Sequence, residues 1–384
     1  MTYNMKKNKY LPINWTNGTK LSSEHFIHSY LSQVERSVQM QAFSLTKFNF
    51  GLGKPETFEE AVYYQLSGTT PNSAVIELLH CEGITPSGYT ISYDRQIYGT
   101  HAVCSEAQNV EEAKDGDLFY VLVSVAPFSR VPVGTPNPEV VPLHHPYALP
   151  KVKVHLVRQN TLNTSTEDVD YLIVGRYELN NGILKAEEDY IPPIQRLCYS
   201  KKAVIFQQNI IKVLERLYSY TQQMYRRNVS STHRNSLADS SLLFCSAFQD
   251  FYTEHSFALK HLLSEESPCR LVEQFSILGQ KLICVLTRMS ENDYERLLQY
   301  YYTWTDCSPA DIEQAMGKLA GVSYSHIDIA KSFRAILHSL SLLERIFSRM
   351  SELEYIGVVR ENIIISEEED SPRSKERRFW KILD

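Results

Sequence analysis

Three histidines invite a metal reading: His144 and His145 are adjacent, and His155 follows on the same stretch. Neighbouring histidines point in different directions, and no cysteine or carboxylate stands beside them at ligand spacing. The surrounding segment is rich in proline, so a solvated loop accounts for them. Gly51-Leu-Gly53-Lys54 lacks the GxxxxGK[ST] spacing that cradles phosphate. Paired carboxylates occur at Glu59-Glu60, Glu111-Glu112 and Glu187-Glu188, all in polar surroundings where solvation explains them. No GxSxG, HExxH or DxD-type cluster stands out. The chain reads as a non-enzyme with no metal, cofactor or small-molecule substrate.

Composition agrees with an ordinary globular protein. The 384 residues are 43% hydrophobic and 22% charged, enough for two or three domains with full cores. A net charge of -6 offers neither a nucleic-acid groove nor a basic membrane patch. Lys6, Lys7 and Lys9 have no apolar run after them, so no signal peptide is expected, and no stretch approaches a membrane span. Seven scattered cysteines without a CxxC pair favour reduced thiols in the cytoplasm.

The elements divide at Tyr190-Ile-Pro-Pro193. Two prolines cannot donate to a ladder and bias their predecessors toward extended backbone, which ends one kind of structure sharply. Before them, a helix of about 20 residues follows Phe26, with Ile27, Leu31, Val34, Val38 and Leu45 on its apolar face. Strands are then predicted at Ala74–His80, Tyr89–Tyr93, Leu118–Ala126, Val152–Val157 and Tyr171–Leu179. Turn signals and no helices between them argue for an antiparallel sandwich or barrel. Pro127–Pro150 reads as a long loop, mobile or serving as an interaction arm.

After the prolines nearly everything reads as helix. Phe206, Ile210, Val213, Leu217, Tyr220 and Met224 step by four and three residues, the period of helices packed lengthwise. Similar seams run from Phe244, from Leu271, and through Phe333, Ile336, Leu340 and Leu343. Ser267-Pro268 and Ser308-Pro309 are cap-plus-proline helix starts, Gly321 closes a short helix, and Ser325 is the expected cap of the last one. The first and last seams serve either a contact between subunits or the core of an intrachain bundle. Tyr355–Ile365 has the character of one or two strands. Beyond it lie an acidic run, Glu367–Asp370, and a basic run, Arg373–Arg378. Phe379, Trp380, Ile382 and Leu383 end the chain as an apolar cluster, suited to docking or to folding back on the bundle.

Trp15, Gly18, Leu21, His25 and Phe26 form a W-x-x-G-x-x-L-x-x-x-H-F pattern. It resembles the opening signature of the TssK family, the trimeric baseplate subunit of the type VI secretion system. The family's usual proline two residues before the histidine is Ser23 here. Gly182–Leu184 leading into Tyr190–Pro193, and Ser267-Pro268 with Leu271 and Leu278–Leu282, resemble the family's domain junction and a neck helix. The resemblance implies an α+β fold: an antiparallel β-sandwich shoulder (1–190), an elongated helical-bundle neck that trimerises (191–352), and a short tail or reduced head (353–384). It further implies a cytoplasmic structural protein at the inner face of the cytoplasmic membrane of a Gram-negative bacterium. Such a homotrimer binds wedge proteins of the TssF and TssG kind and links them to a membrane complex. On this reading Trp15, Gly18, Leu21, His25 and Phe26 carry a partner contact, or Trp15 and Phe26 staple the segment to the sandwich. Phe206, Ile210, Val213, Leu217, Tyr220, Met224, Phe333, Ile336, Leu340 and Leu343 form the subunit interface. Two other readings compete: a sandwich that binds or processes carbohydrate, with an aromatic groove and two carboxylates, and a phage-tail-type receptor-binding adaptor.

Overall fold

The computed structural model describes residues 10–54, 59–105, 113–162, 170–230 and 235–358. Its first half holds helix α1 (Ser23–Ala42), strands β1 (Gly51–Leu52), β2 (Val62–Ser67), β3 (Val75–Ile84) and β4 (Thr90–Asp94), and the single-turn helix α2 (Arg95–Tyr98). Strands β5 (Leu118–Val133), β6 (Tyr147–Arg158), β7 (Asp170–Asn180) and β8 (Ile183–Ala186) follow. The second half is helical: α3 (Lys201–Ser230), α4 (Ser236–Phe257), α5 (Pro268–Arg288), α6 (Glu291–Thr305), α7 (Pro309–Ala320) and α8 (Ile329–Glu352).

Two antiparallel four-stranded sheets make the β half. In one, β3 pairs with β1, β2 and β4; in the other the order is β6-β5-β7-β8. Alternation along β5 sorts its side chains. Phe119, Val121, Val123 and Val125 enter the main core with Ile76, Leu78, Ile91 and Tyr93 of the facing sheet. Tyr120 and Leu122 point the other way, into a small second core with Val157, Ile173 and Tyr190.

Both ends of Pro127–Pro150 are strand, 127–133 and 147–150, which shortens the expected loop to its middle. β5 continues to Val133 and β6 starts at Tyr147, so a two-stranded ribbon projects past the end of β7. Proline is tolerated there because the outer part of β5 has no second neighbour to receive its N–H. Only 134–146 remains as the connecting tip. The short strands β1, β2 and β8 and the whole of α6 have no counterpart in the periodicity reading.

Helix starts follow their caps. Ser267 and Ser308 cap α5 and α7, each with proline next, and Ser308 and Asp311 form a reciprocal capping box. Helix α8 is capped by Asp328, whose carboxylate accepts the Lys331 N–H at 3.2 Å, and not by Ser325. Gly279 of α5 lies where a Cβ would stand 2.3 Å from the Ala320 nitrogen, so a side chain there would part α5 from α7. Tyr355–Val358 is turn and bend instead of strand; 359–384 lies outside the described residues.

The double proline works as a joint. Leu52 N–H donates to the Pro193 carbonyl at 2.8 Å and Gln195 N–H to that of Leu52 at 3.1 Å. Gly51, at φ +122°, lets the two backbones meet, since a Cβ there would sit 2.3 Å from Pro193. One continuous apolar core runs from the sandwich through Ile191, Ile194 and Leu197 into the bundle.

A second clasp is His326, just before α8. Its Nε2–H donates to the Phe50 carbonyl at 2.7 Å, and its Nδ1 takes the Tyr324 hydroxyl at 2.6 Å. Burial pushes this imidazole down to about 4, against the opposing pull of the Phe50 carbonyl. The unfolded chain titrates near 6.5, so it binds a proton first as pH falls. Stability is therefore expected to be undiminished above pH ~6.5 and to drop by up to about 3 kcal/mol between there and pH ~4. Burial lowers His80 and His155 as well, adding in the same direction. Urea unfolding at pH 7 and pH 5 checks this. His326→Gln should flatten the slope; an unchanged slope would acquit His326.

Candidate functional site

The segment Tyr10–Phe43 is built from a turn and a capped helix. Gly18 at φ +85° takes the left-handed conformation, and Thr19 N–H closes the turn on the Thr16 carbonyl at 3.2 Å. Helix α1 opens with Ser22, whose N–H donates to His25 Nδ1 at 3.2 Å. His25 is thus engaged in capping, and its role is positional. What this frame presents is apolar: Trp15 is 49% exposed, Leu21 62% and Phe26 60%. The Trp15 ring lies 5.8 Å from His25 and 6.4 Å from Phe26, within its own segment. The staple expected between Trp15, Phe26 and the sandwich is not formed, because the turn at Gly18 folds Trp15 onto the helix start instead.

Helix α1 is held along one side only. Tyr10 N–H donates to Glu35 at 3.0 Å, the Tyr10 ring meets His28 and Phe128, and Arg130 lies over the Tyr30 ring at 5.5 Å. Leu31 alone among its residues is buried. Met40 and Phe43 stand exposed with Phe26 and Ile27. More than half of the exposed large apolar side chains among the described residues lie on Leu11–Phe43 or at the ribbon end, where Val140, Val141, Leu143 and Tyr147 project. Covering a side chain of this size contributes about 1.5–3 kcal/mol, so the surface is suited to association. Periodicity had singled out the Ile27, Leu31, Val34, Val38 stripe. The exposed Phe26 and Met40 are apolar positions out of phase with it, and that mismatch was the available signal. The ribbon end falls within Pro127–Pro150, the stretch read from its length and prolines as mobile or an interaction arm.

The chemistry-bearing residues stay apart. His144 and His145 sit at the ribbon tip, their Nδ1 atoms on the Pro142 and Gly134 carbonyls at 2.7 Å, while His155 faces Ser124 within the sheet. No three His, Cys, Asp or Glu residues among those described could hold a metal ion. Glu59 is paired with Lys201, and Glu187 with Arg176. Glu111-Glu112 lies outside the described residues. The carboxylate pair that a sugar-processing sandwich needs is not assembled by these residues.

The neck seams turn inward. Ile210, Leu217, Met224, Phe333, Ile336, Leu340 and Leu343 are at most 1% exposed within the single chain. They are enclosed by the chain's own helices and have no surface to offer a second copy. Phe206, Val213 and Tyr220 are half-buried, and Phe206 stacks on Phe333 at 4.1 Å. Heptad spacing does not distinguish an intrachain bundle from an intersubunit coil; here helices α4 and α8 of the same chain pack on α3. Phe379, Trp380, Ile382 and Leu383 lie outside the described residues.

A sandwich joined through a double proline to an elongated bundle is a shoulder-and-neck α+β architecture. Solved structures share it. A crystal structure of TssK matches with a TM-score of 0.52 at 16% identity, over 86% of this chain and 69% of that one. A chain of the baseplate complex from the type VI secretion system matches with a TM-score of 0.52 at 15% identity, over 88% and 69%. A chain of a TssK-TssF-TssG baseplate subcomplex aligns at 13% identity with a TM-score of 0.49. The fold of this chain is that of TssK. No family model and no curated protein matches the sequence.

Proposed function

We propose that this protein is a structural, non-catalytic baseplate subunit of a type VI secretion system. It acts as a trimeric adaptor between wedge proteins of the TssF and TssG kind and a membrane-anchoring complex, on the cytoplasmic side. The observation that carries the reading is the uncovered apolar surface of Trp15, Leu21, Phe26 and helix α1 on a TssK fold. The mechanism is mechanical: several copies in one particle give multivalent attachment whose avidity exceeds that of any single contact. No helix among the described residues is long and apolar enough to cross a membrane, so anchoring is assigned to a partner. Because the neck seams are enclosed, copies meet through other surfaces, and most of the exposed large apolar side chains among the described residues stand on the shoulder.

Light scattering on the purified protein should give three times 44.3 kDa. A monomer at all concentrations would refute the trimer. The double substitution Trp15→Ala with Phe26→Asp alters exposed positions, so stability should change by only about 0.5 kcal/mol each. Co-purification with wedge proteins should fall by about tenfold or more, the loss of two central apolar contacts. Undiminished capture by a well-folded double variant would move the wedge contact elsewhere.

A further inference from the structure

A cleft of about 860 Å³ opens where the shoulder meets the neck. Its floor is apolar, with Val62, Tyr64, Ile191, Phe206, Phe333 and Leu337. Its rim carries Glu60, Glu188 and Asp189, none of which has an ion-pair partner among the described residues. Of the cations in the lining, Arg176 and Arg334 are engaged by Glu187, and Lys202 directs its ammonium to the backbone carbonyls of Glu188 and Tyr190. Burial holds the Glu60 carboxyl above its usual range, a cost that an arriving cation would relieve.

We propose that the occupant of this cleft is the chain's own segment Arg373–Leu383, docked intramolecularly. Its composition is complementary: Arg373, Lys375, Arg377 and Arg378 precede Phe379, Trp380, Ile382 and Leu383, so a basic block suits the carboxylate rim and an aromatic-aliphatic block the floor. The segment lies outside the described residues, and the reach is sufficient. The described chain finishes at the far end of the bundle, where Ile356 N–H donates to Asn228 of α3 at 2.8 Å. From Asn228 back to Phe206 the helix rises about 33 Å. Residues from Val358 to Phe379 extend to at most about 70 Å. Docking there would couple the shoulder–neck joint to the C-terminus, whatever the wedge partner is.

The test uses the 384-residue protein carrying Trp380→p-benzoylphenylalanine, irradiated and mapped by mass spectrometry. Mixing isotopically light and heavy protein separates links within one polypeptide from links between copies. The expected products join position 380 to Ile205, Phe206 or Leu337 of the same polypeptide. Glu188→Lys with Asp189→Lys, both exposed, should cut the yield about fivefold, the loss of two surface ion pairs, without changing the melting temperature. Cross-links confined to another surface, links only between copies, no link at all, or a yield indifferent to the charge reversals would each overturn the proposal.

Discussion

A Leu340→Asp substitution is expected to leave no folded subunit, instead of releasing a folded monomer. Leu340 is fully enclosed between helices of its own chain, in the same core as Leu217. Truncating a buried leucine to alanine alone costs about 2–5 kcal/mol in lost transfer energy and residual cavity. Aspartate adds an unpaired carboxylate in an apolar surround, a further several kcal/mol unless it takes up a proton. The sum is comparable with the whole stability of a typical domain, about 5–15 kcal/mol. Circular dichroism and limited proteolysis should report loss of the bundle, and Leu217→Asp should behave alike. A soluble particle of 44.3 kDa with native helicity would place Leu340 between copies and refute the closed bundle.

The second large effect is expected at Arg176. This guanidinium on β7 is only 7% exposed and holds two carboxylates at once: Glu187 through a forked pair and Asp328 at 2.7 Å. It also lies 4.6 Å from the Tyr190 ring, whose hydroxyl donates to the Ile327 carbonyl at 2.8 Å. Asp328 is the cap of α8, so one side chain ties the sandwich to the start of the last neck helix. Arg176→Leu would leave Asp328 facing an apolar group and Glu187 with only Arg334 at 3.6 Å, and breaking a buried ion pair in this way costs about 3–5 kcal/mol. Arg176→Lys keeps the charge but not the fork, and should lose part of that. Chemical denaturation measures both. If Arg176→Leu is silent, the apolar core alone holds the junction; partial rescue by Arg176→Leu with Asp328→Leu would support the triad.

Much of this was legible in residue order because it depends on local physics. Alternation along Leu118–Ala126 and Tyr171–Leu179 specified strands, and cap-plus-proline pairs at Ser267 and Ser308 specified helix starts, since each acts within a few residues. The double proline at 192–193 marked the joint because its effect on the backbone is covalent. Tertiary structure alone decided where apolar surface goes. The heptad seams of α3 and α8 have the same spacing whether the helices that cover them come from one chain or three, and only the packing of α3 and α8 on each other and on their neighbours in the chain gave them to one. The outer ends of β5 and β6 passed for a loop because their prolines are tolerated only when a neighbouring edge is empty, a property of the sheet and not of the residues. Arg176 and Asp328 are 152 positions apart, as no local pattern could pair them. Trp15 and Phe26 were visible as a motif from the start, but their exposure depends on a single turn at Gly18 and on how little of α1 the sandwich covers.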